Sequence, residues 1–296
     1  MRLVATGLAV ALAPGCVAPT TAPMAQVAPP PAAAIAPPVA AALTPFRWTG
    51  TLSQGGLIRG TAPVDSVAVT IDGRAVALAA DGGFVIGFDR DAAATATLVA
   101  VLRDGRRVVQ PLAIAPRAWR IERLTTLPRF PAPDPVFARL RPPELAMIAA
   151  ARAKTTAASG WRQDFIWPAT GRISGWFGAQ RIYRGEPGAY HGGTDIAKPT
   201  GAVVRAPADG VVILAAQAPF TLEGKLLMID HGQGLSSAFL HLSRIDVREG
   251  DAVRQGEAIG AVGATGRATG AHLHWGLRWG EARLDPMLVA GAMPAG

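Results

Sequence analysis

Apolar and polar residues alternate along this chain in short runs, and glycine-bearing turns separate the runs. Val67, Val69 and Ile71 alternate before Asp72-Gly73, which leads into Ala75 to Leu78. Asp81-Gly82 leads into Phe84, Ile86 and Phe88, and Leu98 to Leu102 meets Val108-Val109 across Asp104-Gly105. Period-two alternation marks half-buried strands, and Asp-Gly between such runs is a strong hairpin signal. The pattern predicts a small antiparallel β sandwich over residues 45–116. From Trp161 onward glycine recurs every few residues, with β-branched runs at Ile173 to Phe177, Gly210 to Ala215, Leu226 to Asp230, Ala238 to Leu242, Ala258 to Val262 and His272 to Leu277. No helical period lasts beyond a turn there, so residues 161–296 read as a second β domain. Between the two, residues 117–160 form a basic, proline-interrupted connector with one helix expected at Pro142 to Lys154, whose Leu145, Met147 and Ile148 should pack on a neighbour. The expected fold class is all-β with a short helical connector.

The beginning of the chain follows different rules. Arg2 precedes the apolar run Leu3 to Ala13, and Ala13-Pro-Gly-Cys16 follows. This is the layout of an export signal over residues 1–16, ending in a lipoprotein-like cleavage site. Residues 17–44 hold seven prolines and no charge, which predicts an extended tether. Lipidation at Cys16 would anchor the protein to a membrane and leave the folded part in the periplasm.

Composition narrows the chemistry. Cys16 is the only cysteine among 296 residues, so neither an internal disulfide nor a cysteine-ligated zinc finger can form. The net charge of +8 suggests nucleic acid until it is located. Residues 161–296 hold 13 Lys and Arg against 12 Asp and Glu, so the excess lies in the first part of the chain, mostly between Arg103 and Lys154. No nucleic-acid motif accompanies it, so nucleic acid is not expected as a partner; a polyanionic wall or membrane surface is the better match.

All five histidines, His191, His231, His241, His272 and His274, fall after residue 190. In a strand His272 and His274 point to the same face about 7 Å apart. His191-Gly-Gly-Thr-Asp195 must curl to bring its ends together, because on a regular strand they would lie ~13 Å apart. Gly192-Gly193 makes the curl easy. His191, Asp195 and His274 then offer two imidazoles and a carboxylate, a set suited to zinc with one position open to water. His241 and His272 are left to move a proton and to stabilise an oxyanion.

The set His191-x-x-x-Asp195, His241-Leu-Ser and Gly263-Ala-Thr-Gly-Arg-Ala-Thr-Gly-Ala-His-Leu-His274 resembles the lysostaphin-type, LytM-domain metallopeptidases that cut peptide bridges of bacterial cell walls. Gly171 to Gly178, Ala206 to Gly210 and Val247 to Gly256 extend the resemblance over residues 165–288. It implies an antiparallel β domain with an open groove, zinc on His191, Asp195 and His274, and catalytic roles for His241 and His272. It also implies peptidoglycan stem peptides as substrate and admits amidase or divisome partners; the Ala- and Arg-rich, lysine-poor, lipoprotein-like chain favours D,D-endopeptidase activity on the cross-links over the cutting of glycyl-glycine bridges. The competing reading is a non-catalytic LytM-type activator of a cell-wall amidase, against which the five filled positions weigh. His231, Asp209 and Asp285 are expected to be structural, Phe239 to be a packing change, and Arg181 and Tyr190 to flank the groove. Residues 45–116 are expected to govern access and placement.

Overall fold

The computed structural model describes residues 44–126 and 135–294. Residues 1–43, with the signal-like segment, Cys16 and nearly all of the tether, lie outside the described residues. The described residues fall in one compact unit. No helix among the described residues is long and apolar enough to cross a membrane.

The first β region folds as two sheets. Strands Arg47–Gly50, Leu57–Thr61 and Gly83–Gly87 form one; Arg74–Val76, Ser66–Ile71, Thr95–Leu102 and Arg107–Ala113, in that spatial order, form the other. Asp72 and Gly73, at φ 48° and 78°, close the expected hairpin between Ser66–Ile71 and Arg74–Val76. Positive φ at both turn residues suits the twist of the flanking strands. Asp104-Gly105 likewise closes Thr95–Leu102 on Arg107–Ala113. Asp81-Gly82 behaves differently. Its tight turn forms, with Gly82 N–H donating to the Ala79 carbonyl, but Gly83–Gly87 then pairs with Leu57–Thr61 and leaves the sheet of Arg74–Val76. The turn is therefore a corner between sheets, because Phe84, Val85 and Ile86 are wholly buried and can be covered only by crossing the core.

The second region is built on one long antiparallel sheet. Its spatial order is Ala252–Val253, Gly210–Phe220, Gly224–Gly232, Leu235–Leu242, His272–Trp279, Thr194–Ala197 and Arg172–Gly175, with Ala282–Leu284 also pairing to His272–Trp279. One face is apolar core: Ile196, Leu273, Trp275 and Phe239 are all fully buried. Burial of Phe239 agrees with its reading as a packing residue. A single hydrophobic core runs through both β regions, from Phe46 to Leu284. At the junction a β carbon on Gly87 would meet the side chains of Leu284 and Trp279 within 2.8 Å, so only glycine permits this approach.

The connector holds more order than expected. Ile121–Leu124 adds as a parallel strand to Gln180–Tyr183. The helix runs over Pro135–Arg152, seven residues earlier than expected, with Pro142 and Pro143 inside it. Proline removes two helix hydrogen bonds there, and the helix persists because side chains grip it from outside. Arg141 pairs with both carboxylate oxygens of Glu223 at 2.6 and 2.8 Å, and Glu144 accepts from Thr221 N and Oγ1 at 2.6 Å each. Ile148 and Ala151 pack on Leu226 and Met228, whereas Leu145 and Met147, expected to pack, are exposed.

Candidate metal centre

Strand alternation builds the site. Along Thr194–Ala197 and His272–Trp279 the even-odd pattern sends Ile196, Leu273 and Trp275 into the core and Asp195, His272 and His274 to the opposite face. The register sets Asp195 directly opposite His274, and Ala197 opposite His272. His191 arrives from a loop that curls at Gly192-Gly193 and is tied down by His191 N–H donating to the Ala179 carbonyl at 2.8 Å. Gly175 and Gly193 flank the centre. A β carbon at Gly193 would lie 2.7 Å from His274 Nε2, and one at Gly175 would fall on the Asp195 carboxylate.

His191 Nε2, His274 Nδ1 and Asp195 Oδ1 converge, with separations of 3.0, 3.1 and 2.8 Å. Ligands about 2.0–2.1 Å from a tetrahedral ion sit roughly 3.3 Å from one another, so this donor set fits a small divalent cation. These three residues form a group that can hold a metal ion. Burial opposes the charged form of His191, but the hydrogen bond and charge of Asp195, with the Trp176 carbonyl, outweigh it and shift the imidazole upward. For Asp195 burial pushes up, and the hydrogen bonds from His191 and His274 carry the carboxyl well below its usual range. Burial lowers His274. The centre thus holds an ionised carboxylate whose negative charge draws positive charge to itself, here onto the His191 ring, while burial keeps His274 neutral.

Backbone carbonyls fix the tautomers of the other rings. His191 Nδ1 faces Trp176 O at 3.1 Å, His241 Nδ1 faces Thr265 O at 2.9 Å and His272 Nδ1 faces Gly270 O at 2.8 Å. A carbonyl only accepts, so in the neutral form of each ring Nδ1 carries the proton and Nε2 presents a lone pair. His272 Nε2 lies 3.8 Å from Asp195 Oδ1, and the His241 and His272 rings are 4.8 Å apart. His241 is pushed down to about 4, by burial first, against the Thr265 hydrogen bond that would raise it, and with His272 lowering it further. It is neutral at pH 7. His241 also sits at φ 64°, a left-handed conformation uncommon outside glycine, held by its N–H donating to the Glu223 carbonyl at 2.8 Å. The five residues singled out from sequence therefore share one cleft.

The remaining expectations resolve as follows. His231 is fully buried 2.8 Å from both Asp209 O and Ser237 Oγ, and burial pushes it down to about 4; its place is structural. Asp209 accepts from Gln255 N. Asp285, expected to be structural, caps the helix Pro286–Ala290 by accepting from Met287 N and pairs with Arg117 at 2.8 Å. Arg181 and Tyr190 line a wide cavity of about 950 Å³ that runs past His191 and Asp195. Tyr190 is raised to about 12 by burial and then by Asp89, to which its hydroxyl donates at 3.1 Å.

Sequence reasoning missed the supports from the first β region. Buried Arg90 donates to the Gly178 carbonyl at 3.0 Å and to Gln180 Oε1 at 3.1 Å, beneath the loop that carries His191. Asp89 accepts from Tyr190 and from Arg283 N.

An antiparallel β domain with a His-Asp-His centre and two further histidines beside it defines a metallopeptidase-type site. The sequence model of peptidase family M23 matches residues 189–286, so this chain carries an M23, or LytM-type, metallopeptidase domain. The chain is 44% identical over 89 residues to peptidoglycan DD-endopeptidase ShyA of Vibrio cholerae, covering 30% of this chain and 20% of that protein. It is 42% identical over 104 residues to DD-carboxypeptidase/endopeptidase Mpg of Neisseria meningitidis, covering 35% and 24%. It thus spans about a fifth to a quarter of the length of these relatives. A crystal structure from Pseudomonas aeruginosa assigned to peptidase M23 superposes with a TM-score of 0.61 at 28% identity, covering 82% of this chain and 96% of that one. That likeness reaches well beyond residues 189–286 and takes in part of the first β region.

Proposed function

We propose that this protein is a zinc-dependent endopeptidase that hydrolyses D,D peptide cross-links of peptidoglycan. The convergence of His191, Asp195 and His274, with the Nε2 lone pairs of His241 and His272 turned to the same cleft, carries the reading. The names of the Vibrio and Neisseria relatives support the substrate class. Zinc held there polarises an amide carbonyl and makes water a competent nucleophile near neutral pH. His241, neutral at pH 7, accepts a proton at Nε2 as water attacks, and as imidazolium it faces the developing oxyanion. His272, whose ring lies 4.8 Å away, faces the same cleft and shares that work. Asp195 remains ionised and, through its contacts to both ligand histidines, keeps them oriented.

The test is mass spectrometry of cross-linked muropeptides treated with the zinc-loaded full chain. Conversion of dimers to monomers by opening of the D,D bond is expected. Intact dimers with stoichiometric zinc bound would overturn the reading. The layout of Arg2, the apolar run and Cys16 supports a lipid-anchored periplasmic protein. Cys16→Ser should then move it from membrane to soluble periplasmic fractions, and unchanged fractionation would refute the anchor.

A further inference from the structure

Beyond the metal centre the same sheet face continues as a trough. Gly276 and Arg278 follow His274 at two-residue intervals, and Leu240, Ala238 and Ser236 lie opposite them in register. The small side chains open a cavity of about 200 Å³, walled by the end of the helix Pro135–Arg152. It adjoins the metal cleft, since His274, Leu240 and Glu223 line both. Three arginines, Arg152, Arg278 and Arg283, face it.

Their arrangement is unfavourable without an anion. Arg278 and Arg283 are directly opposed across paired strands, where like charges destabilise. Arg278 has one carboxylate partner, the exposed Glu281, at 2.6 Å, and donates besides to the carbonyls of Gly280 at 3.3 Å and Glu281 at 3.1 Å. Among the described residues no carboxylate pairs with Arg152 or Arg283, and Glu223, the one acidic residue lining the cavity, is already taken by Arg141. Although Arg152 is exposed overall, its guanidinium is pushed down to about 10, by burial first and then by the charge of Arg278, with Arg283 adding to it. The Arg283 side chain lies across Gly192, next to His191, and over the Tyr190 ring at 5.1 Å.

We propose that Arg152, Arg283 and Arg278 form a subsite of the substrate groove that binds a free carboxylate of the peptide, one to four residues from the bond cut. The spacing follows from the strand: Gly276 and Arg278 lie about 7 and 13 Å beyond His274. Guanidinium pairs recognise carboxylates by forked hydrogen bonds, and an amide in the same place would leave both cations unpaired. The subsite rests on the peptidase reading above and assigns that groove a selectivity for non-amidated stem peptides.

The test uses the zinc-loaded full chain and three muropeptide dimers: all carboxylates free, diamino-acid side-chain carboxylates amidated, or chain-terminal carboxylates amidated. Wild type should prefer the free dimer over one of the masked dimers by roughly tenfold or more in kcat/KM, chiefly through KM, the size expected for lost charge-assisted hydrogen bonds. The masking that removes the preference names the source of the anion. In an Arg152→Gln, Arg283→Gln double variant the preference should fall toward one. Arg152→Gln alone, at the helix end away from the metal ligands, should already reduce it about threefold. Equal cleavage of all three dimers by wild type, or an unchanged preference in the variants, overturns the subsite and leaves the peptidase reading standing. If wild type cleaves none, that reading falls and calorimetric titration with uncross-linked stem peptide decides: tighter binding to wild type than to the double variant supports the subsite, and equal or absent binding overturns it.

Discussion

At the scale of single residues, the cleft divides labour between side chains that differ in how their protons are fixed. His241 is held in a left-handed backbone and in one tautomer by Glu223 and Thr265 carbonyls, and no donor atom of the metal group lies on it. His241→Ala should therefore retain zinc by elemental analysis while losing activity by about 10²-fold or more, as for a positioned acid-base group. Loss of zinc in that variant would place His241 among the ligands. His231 gives a pH signature of a different kind. Its folded value of about 4 lies below the unfolded 6.5, so the unfolded chain takes up the proton first as pH falls. Stability from this residue is complete above pH 6.5 and is lost down to pH 4, by about 3 kcal/mol. Urea melts from pH 7 to 4 should show a shallower decline in His231→Gln than in wild type. His272 and His274 were legible in the sequence because strand period and the HxH spacing put both on one face, while His191 and His241 were found through their motifs. Their carbonyl partners were not, since backbone positions such as Thr265 and Gly270 leave no side-chain signal.

At the scale of elements, the helix Pro135–Arg152 is held by polar grips as much as by apolar packing. Glu144 binds the backbone and hydroxyl of Thr221, Arg141 holds Glu223, and the Glu223 carbonyl in turn receives His241 N–H. Glu144→Ala leaves Thr221 N–H without its acceptor, at a cost of about 1–3 kcal/mol. Its expected effect on function is a several-fold drop in kcat at unchanged zinc content, because the loop that sets His241 loosens. Unchanged kcat in a destabilised variant would confine Glu144 to stability. Sequence reading placed this helix too late because it treated Pro142 as a first-turn residue, and the grips that carry the helix past two prolines come from residues about 80 positions away. Asp81-Gly82 failed for a related reason. Turn chemistry says that the chain reverses, while the partner strand is chosen by where Phe84 and Ile86 can be buried.

At the scale of the whole molecule, the first β region underlies the site as well as adjoining it. Arg90 spans 88 residues of sequence to reach Gly178, whose N–H donates to the His191 carbonyl. Arg90→Met should lower stability by about 1–3 kcal/mol through the unpaired Gly178 carbonyl, and weaken zinc retention against a competing chelator. A single calorimetric transition in wild type is the accompanying expectation, since one core joins both regions. Two separate transitions, with zinc affinity untouched in the variant, would show the regions to be energetically independent. Nothing in the run Asp89-Arg-Asp91 distinguishes it from an ordinary surface loop, so this brace was invisible until the chain was folded.

Gly175 and Gly193 carry an implication for tracing this protein through lineages. A β carbon at either position meets Asp195 or the ring of His274. One nucleotide change that introduces alanine at either position would therefore disarm the centre and leave every histidine and the aspartate spelled out in the gene. Copies that have decayed in this way would pass for active ones in any inventory of ligand residues, and the two glycines should be counted with the ligands when active and silent copies are sorted.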